Sequence, residues 1–305
     1  MSDDLAISVR GLTKSFGDQR AVEDLSFDLS RGTVTGFVGP NGAGKSTTIR
    51  MLLGLIRPTA GTADVLGHPI NEPDRYLNRV GALVEGPAFY PHLSGYRNLL
   101  VLTRLARLPA TRIDEVLAVA GLADRGKDIY KNYSLGMKQR LGIAAALLHD
   151  PELLILDEPT NGLDPAGIVE IRTLLRELSD RGTSVLVSSH NLSEIQVVCH
   201  RIVLIQHGRL LWSGVIDELL ASHGATLIAA PEQPSDLDTL VALVSAAGYA
   251  STTRDDRLEI RAPGSWAGEL NRQAMGAGVT LRELTMRDAS LEQTFLDLTA
   301  TGAHA

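Results

Sequence analysis

The sequence of 305 residues contains one cysteine, Cys199. An internal disulfide and a cysteine-based zinc cluster are both excluded. Cys199 itself reads as a small apolar residue at the end of a helix. No apolar run approaches the ~20 residues that a membrane helix needs. The longest candidates, around residues 142–148 and 153–156, are interrupted too soon. The opening MSDDLAIS is acidic and has neither the basic nor the apolar region of a secretion signal, so a cytoplasmic location is expected. A formal charge of −7 argues against a nucleic-acid binder, because neutralising phosphates takes a basic face. Internal repeats and low-complexity segments are missing as well. What remains, 44% hydrophobic and 21% charged, has the composition of a globular protein able to bury a large core and a small one.

Short apolar runs bounded by turn residues alternate with helical patterns. Ala6–Val9 and Ala21–Leu29 read as strands by their alternation, and Thr33–Val38 enters a glycine loop followed by a helix over Lys45–Gly54. The turn-rich stretch 58–67 predicts short strands, and residues 95–124 predict a helical region. Leu153–Leu156 and Ser184–Val187 are fully apolar or nearly so, as strands buried on both faces should be. A helix over Leu192–Cys199 and a hairpin around His207-Gly208 follow. Ser222-His223-Gly224 reads as a linker, which divides the chain into domains 1–222 and 223–305. In the second, Thr226–Ala229, Leu258–Arg261 and Val279–Leu284 read as strands, and Leu237–Ala247, Trp266–Met275 and Leu291–Thr299 as helices.

Two constellations carry chemistry. Gly39-Pro40-Asn41-Gly42-Ala43-Gly44-Lys45-Ser46-Thr47 fits G-x-x-x-x-G-K-[ST] between a predicted strand and a predicted helix. Glycines let backbone N–H groups wrap a triphosphate, Lys45 offers a charge to the β and γ phosphates, and Ser46 offers a hydroxyl to Mg²⁺. The helix beginning there presents its positive end to the anion. Downstream, the strand LLIL ends in Asp157 and Glu158. Asp157 is placed to hold magnesium and Glu158 to polarise the attacking water.

With these motifs in order, the chain resembles the nucleotide-binding subunit of an ABC transporter over roughly residues 5–220. YSLGMKQR at Tyr133–Arg140 stands where that family carries its LSGGQ-type signature. The resemblance implies that Ser134 and Gly136 contact the γ-phosphate of ATP held by the opposite subunit of a head-to-tail dimer. A plain helix N-cap at Ser134 is the competing reading, and Leu135 and Met137 depart from the pattern. His190 in SSHNL resembles the family's switch histidine, and Asn161-Gly162-Leu163-Asp164 its interface loop, with Asp164 at the nucleotide. Phe16 matches the aromatic that stacks on adenine, with a core phenylalanine as the alternative.

Glu85 occupies the place of a glutamine that reaches magnesium and the attacking water; it either ligates the metal or is a solvated loop residue. Beside it, Phe89, Tyr90 and Leu93 are expected on an exposed loop. In the family this region receives a helix of the membrane subunit, though the aromatics could equally pack on one another.

The implied fold is α/β: a phosphate-loop hydrolase with a RecA-like core, an antiparallel β subdomain and a helical signature subdomain, followed by a small α+β domain. The implied cofactors are ATP and Mg²⁺. The implied partners are a second ATP-binding subunit, the same chain or a related one, and a separate transmembrane permease. The chain would then lie on the inner face of the membrane. SLGMKQR and SLEQTFLDLT resemble the branch that includes bacitracin-resistance and other drug or antibiotic exporters. A non-transport ABC-type ATPase is the other reading. It lacks support from the coiled coil of the repair type or the paired cassettes of the translation type.

Overall fold

The computed structural model describes residues 4–223, 226–287 and 290–302. It divides into two compact units, one through Ile216 and one from Asp217 onward. The formal charge is divided as sharply. Residues 1–216 carry 23 basic and 23 acidic side chains, whereas residues 217–305 carry six arginines against 13 acids. The whole net charge of −7 therefore lies in the second unit.

The first unit is organised around a six-stranded sheet. Its order is β10 (Arg209–Val215), β9 (Arg201–Gln206), β3 (Val34–Val38), β8 (Ser184–Ser189), β7 (Leu153–Asp157) and β6 (Val80–Leu83). All neighbours are parallel except β10, which turns back on β9 through His207-Gly208. Strands β3, β7 and β8 are buried at every position, which is why they read as continuous apolar runs. The carboxyl ends of these central strands carry the loops described below.

A second, antiparallel sheet joins β2 (Gln19–Ser30), β1 (Leu5–Phe16), β4 (Ala60–Val65) and β5 (His68–Pro69). The strands β1 and β2 run 12 residues each, far beyond their apolar centres. Their polar outer halves still pair, so Phe16 and Gln19 face each other across the hairpin end. Phe27 of β2 and Phe37 of β3, with ring centroids 5.5 Å apart, bind the two sheets into one core.

Helix α1 (Lys45–Leu52) leaves the glycine loop and stops two residues short of the expected Gly54. The helical region 95–124 holds two helices, α2 (Gly95–Leu105) and α3 (Thr111–Val119), and α4 (Leu135–Ala146) follows it. Between the first two, Arg107 takes a positive φ of 56° just before Pro109 and breaks the run. Helix α5 (Pro165–Asp180) is absent from the sequence reading although Asp164 caps it and Pro165 opens it. Helix α6 (Leu192–Val198) ends one residue early, leaving buried Cys199 as its cap; burial raises the Cys199 thiol pKa. Among the described residues no helix is long and apolar enough to cross a membrane.

Helix α7 (Ile216–His223) runs through Ser222 and His223, which were expected in a linker; Gly224 lies outside the described residues. The second unit then follows a β-α-β-β-α-β order: β11 (Thr226–Pro231), α8 (Leu237–Ala246), β12 (Ala250–Arg254), β13 (Arg257–Arg261), α9 (Ala267–Gly276) and β14 (Leu281–Arg287). The strands align as β12-β13-β11-β14, all antiparallel, the arrangement of a split β-α-β unit. Leu240 and Val244 of α8 and Leu270 and Ala274 of α9 join Leu227, Leu258 and Ile260 in its core. Strand β12, ASTTR, escapes sequence reading because no position in it is buried. A last helix, α10 (Leu291–Gly302), closes the chain.

Candidate active site

An open cleft of about 700 Å³ runs from the β1–β2 hairpin across the glycine loop to the ends of β7 and β8. Asn41 through Thr47 form its floor, Phe16 stands at one end, and Glu158, Asn161 and His190 at the other.

The floor is shaped by glycine at two places. Gly44 has φ 101°, and a Cβ there would stand 2.5 Å from the carbonyl of Ala21. A Cβ on Gly39 would meet the carbonyl oxygen of Ile205 at 2.3 Å. Both approaches press the loop between β2 and β9, and the Gly208 N–H fastens it further by donating to the Ala43 carbonyl at 3.0 Å. Lys45, buried, donates from Nζ to the Gly39 carbonyl at 2.7 Å and pairs with Glu158 Oε1 at 3.2 Å.

At the other end the parallel register of β7 and β8 does the positioning. Asp157 lies opposite Ser188. The Ser188 hydroxyl donates to Asp157 Oδ1 at 2.5 Å and accepts the Glu158 N–H at 3.0 Å. Glu158 has a left-handed φ of 51°, a conformation that an unbranched residue adopts only when its surroundings enforce it. Its Oε2 lies 2.7 Å from His190 Nδ1. Asp157, largely buried, and Ser46 on the cleft floor are oxygen donors of the hard type that suits Mg²⁺.

Phe16 is 52% exposed, which removes the reading of a core phenylalanine. Lys14 Nζ stands 5.0 Å from its ring centroid, and Gln19, Arg20 and His207 line the same end of the cleft. Arg20 and Arg209 both bind Glu23, holding that carboxyl below its ordinary range, with Arg209 the larger cause.

Of the expected site residues, Gly39, Pro40 and Asp157 adjoin the lining residues in sequence, while Ser134, Gly136, Asp164 and Glu85 stand apart from this cleft. Ser134 caps α4 by accepting the Met137 N–H at 3.2 Å, and Gly136 lies in its first turn. Asp164 caps α5 by accepting the Gly167 N–H at 3.1 Å, so its carboxylate serves a helix start within this chain. The two segments meet: a Cβ on Gly162 would stand 3.1 Å from Leu135 Cδ2. Glu85, with φ 62°, directs its carboxylate to Arg50 of α1 and not into the cleft.

The neighbouring loop is also less open than expected. Phe89 packs edge-on against Tyr130 at 5.3 Å, and Leu93 is half-buried, leaving Tyr90 as the exposed aromatic. Asn98 clamps this loop by accepting the Tyr90 N–H at 2.8 Å and donating to its carbonyl at 3.1 Å.

The model of the ABC transporter family matches residues 22–161. An uncharacterized ABC transporter ATP-binding protein of Bacillus subtilis, YhcH, is 40% identical over 296 residues, covering 96% of this chain and 95% of that protein. The chain belongs to the ABC transporter family. As an ABC transporter ATP-binding subunit it hydrolyses ATP. The bacitracin transport ATP-binding protein BcrA of Bacillus licheniformis is 40% identical over 302 residues, 97% of this chain and 98% of its own length. Among solved structures, cbiO1 of Clostridium perfringens, part of the ABC transporter complex cbiONQ, aligns with a TM-score of 0.67 at 28% identity. It covers 72% of this chain and 91% of its own. The ABC ATPase fold expected from the sequence is thus confirmed.

Sequence reading missed Ser188, Arg20 and His207. Ser188 had a signal: it is two residues before His190 on a strand parallel to the one ending in Asp157. Arg20 and His207 had none, since a hairpin turn reaches the cleft only through the folded sheet.

Proposed function

We propose that this ABC subunit powers export of a peptide or drug-like antibiotic through a separate permease, by ATP-driven closure and hydrolytic reopening of a dimer. The observation that carries the reading is the Glu158 carboxylate, fixed between Lys45 and His190 at the phosphate end of the cleft. ATP enters with its base against Phe16 and its phosphates over residues 41–47. The γ-phosphate competes with Glu158 for Lys45 and frees the carboxylate to accept a proton from water attacking the γ-phosphorus. ADP departs as the leaving group, and His190 holds Glu158 oriented throughout. Asp157 and Ser46 would hold Mg²⁺, whose charge offsets that developing on the phosphate oxygens.

Ser134 and Gly136, outside this chain's own cleft, are assigned to the ATP of a second copy. The α4 N-terminus supplies free N–H groups for that anion. Loop 160–164, in contact with Leu135, follows the same interface. The permease docks beside exposed Tyr90, and the dimer works on the cytoplasmic face, where ATP is available. Residues 1–222 act as the cassette and 223–305 as an accessory domain. The bacitracin transport relative supports the peptide-antibiotic cargo and disfavours a non-transport ATPase. A membrane protein of about six spans should be encoded beside this chain, and expressing the two together should raise resistance to a bacitracin-type peptide. The same pair with Glu158→Gln should not. Equal resistance with and without the active chain would overturn the reading.

A further inference from the structure

Glu194 lies on the first turn of α6, outside the cleft, with its side chain half-buried. Its Oε2 accepts a hydrogen bond from the Thr160 hydroxyl at 2.6 Å, and its Oε1 accepts from Asn191 Nδ2 at 3.0 Å. Asn191 is held in turn: its Oδ1 accepts the Glu194 N–H at 3.3 Å and the Ser193 hydroxyl at 2.7 Å, and its own N–H donates to Ser189 Oγ at 3.0 Å. Thr160 and Asn191 share a relation to the cleft. Thr160 follows Glu158 by two residues, in a turn closed by the Asn161 N–H to the Glu158 carbonyl at 3.1 Å. Asn191 directly follows His190.

One carboxylate thus fastens the turn behind Glu158 to the loop behind His190. We propose that Glu194 is a positioning residue, which sets the Glu158–His190 spacing by gripping Thr160 and Asn191 at once. Among the described residues Glu194 has no ion pair with a cation, so the carboxylate is committed to these two neutral donors. A short O–H···O⁻ bond is among the stronger hydrogen bonds, and it holds geometry better than a neutral one. Precision matters here because a misplacement of about 1 Å can cost a factor of roughly 10² in rate. The Thr160 backbone carbonyl accepts the Leu163 N–H at 3.1 Å, so the residue held by Glu194 also shapes the loop that meets Leu135.

This inference rests on the hydrolysis reading above, and steady-state ATPase kinetics on the full chain separate the two. Thr160→Val keeps the side chain's shape and removes the donor; it should lower kcat about tenfold, equivalent to ~1.4 kcal/mol, with KM for ATP within about twofold. Thr160→Ser, which keeps the hydroxyl, should recover most of the rate. Glu194→Ala removes both acceptors and should lower kcat as well. Adding it to Thr160→Val should cost little more, since both break one connection. Wild-type kcat in either single variant would overturn the proposal. So would a fall in kcat accompanied by a matching rise in KM and a lower melting midpoint, or an equal loss in Thr160→Ser and Thr160→Val. If the unaltered chain fails to turn over ATP, the hydrolysis reading falls and this one with it. If it turns over normally and Thr160→Val does too, only the positioning role falls.

Discussion

Glu158 and His190 approach within 2.7 Å, on loops that leave adjacent parallel strands. The contact orients a carboxylate whose other oxygen faces Lys45. Removing the imidazole leaves the base present but free to swing. His190→Ala should therefore lower kcat by about 10²-fold while KM for ATP changes far less. Phosphate-release kinetics across ATP concentrations check this, and an effect confined to KM would contradict it.

The Phe16 ring is half exposed at the end of the cleft, with Lys14 Nζ over it at 5.0 Å. Stacking on a base needs one ring face alone. Phe16→Ala should weaken ATP binding about tenfold, in keeping with ~1–3 kcal/mol for an aromatic–base stack. Phe16→Tyr should bind within about twofold of the original. Titration with a fluorescent ATP analogue gives both values; unchanged affinity in Phe16→Ala would remove Phe16 from the site.

Glu85 and Arg50 neutralise each other on the surface beside α1. The family resemblance puts residue 85 near the γ-phosphate, where an unpaired carboxylate opposes the like charge. Arg50→Ala should release that charge and slow turnover about fivefold, from ~1 kcal/mol of repulsion through solvent. Glu85→Gln alone should leave turnover within about twofold, and it should abolish the effect of Arg50→Ala. Turnover of the two single variants and the double variant decides the matter.

Glu152 precedes β7 and is clasped by Arg79 at 2.5 and 2.7 Å and by Arg31 at 2.8 Å. The Arg79 hydrogen bonds, first, and those of Arg31 pull its carboxyl from 4.5 down to about 2. A depressed folded value means the ionised form is favoured by folding. The contribution to stability is complete above 4.5 and is lost as pH falls toward 2. Thermal midpoints between pH 5 and 2 should therefore drop less steeply in Glu152→Gln than in the original chain. Parallel curves would show that the clasp adds nothing.

The phosphate end of the site was legible before folding because it is written in contiguous segments. Residues 39–47 and the pair Asp157 and Glu158 each follow an apolar strand, so motif and context agree locally. The base end was legible only at Phe16, because Arg20 and His207 arrive there through sheet pairing between distant segments. Glu85 illustrates a different limit: its place in a motif was visible, but its partner Arg50 is 35 residues away on α1. Whether Phe89 is exposed or packed stayed open in the sequence because Tyr130, which covers it, belongs to a separate turn. In the second unit, helices with an apolar face were readable, while β12 pairs through its backbone and leaves no apolar trace.

In the proposed cycle Glu158 destroys the ATP that closes a dimer built from Lys45 of one copy and Ser134 of another. Light scattering of Glu158→Gln with ATP and Mg²⁺ tests it most directly. A dimer should form only with ATP and persist, and Ser134→Arg in the same background should prevent it. A Glu158→Gln chain that binds ATP yet stays monomeric would contradict the proposed cycle.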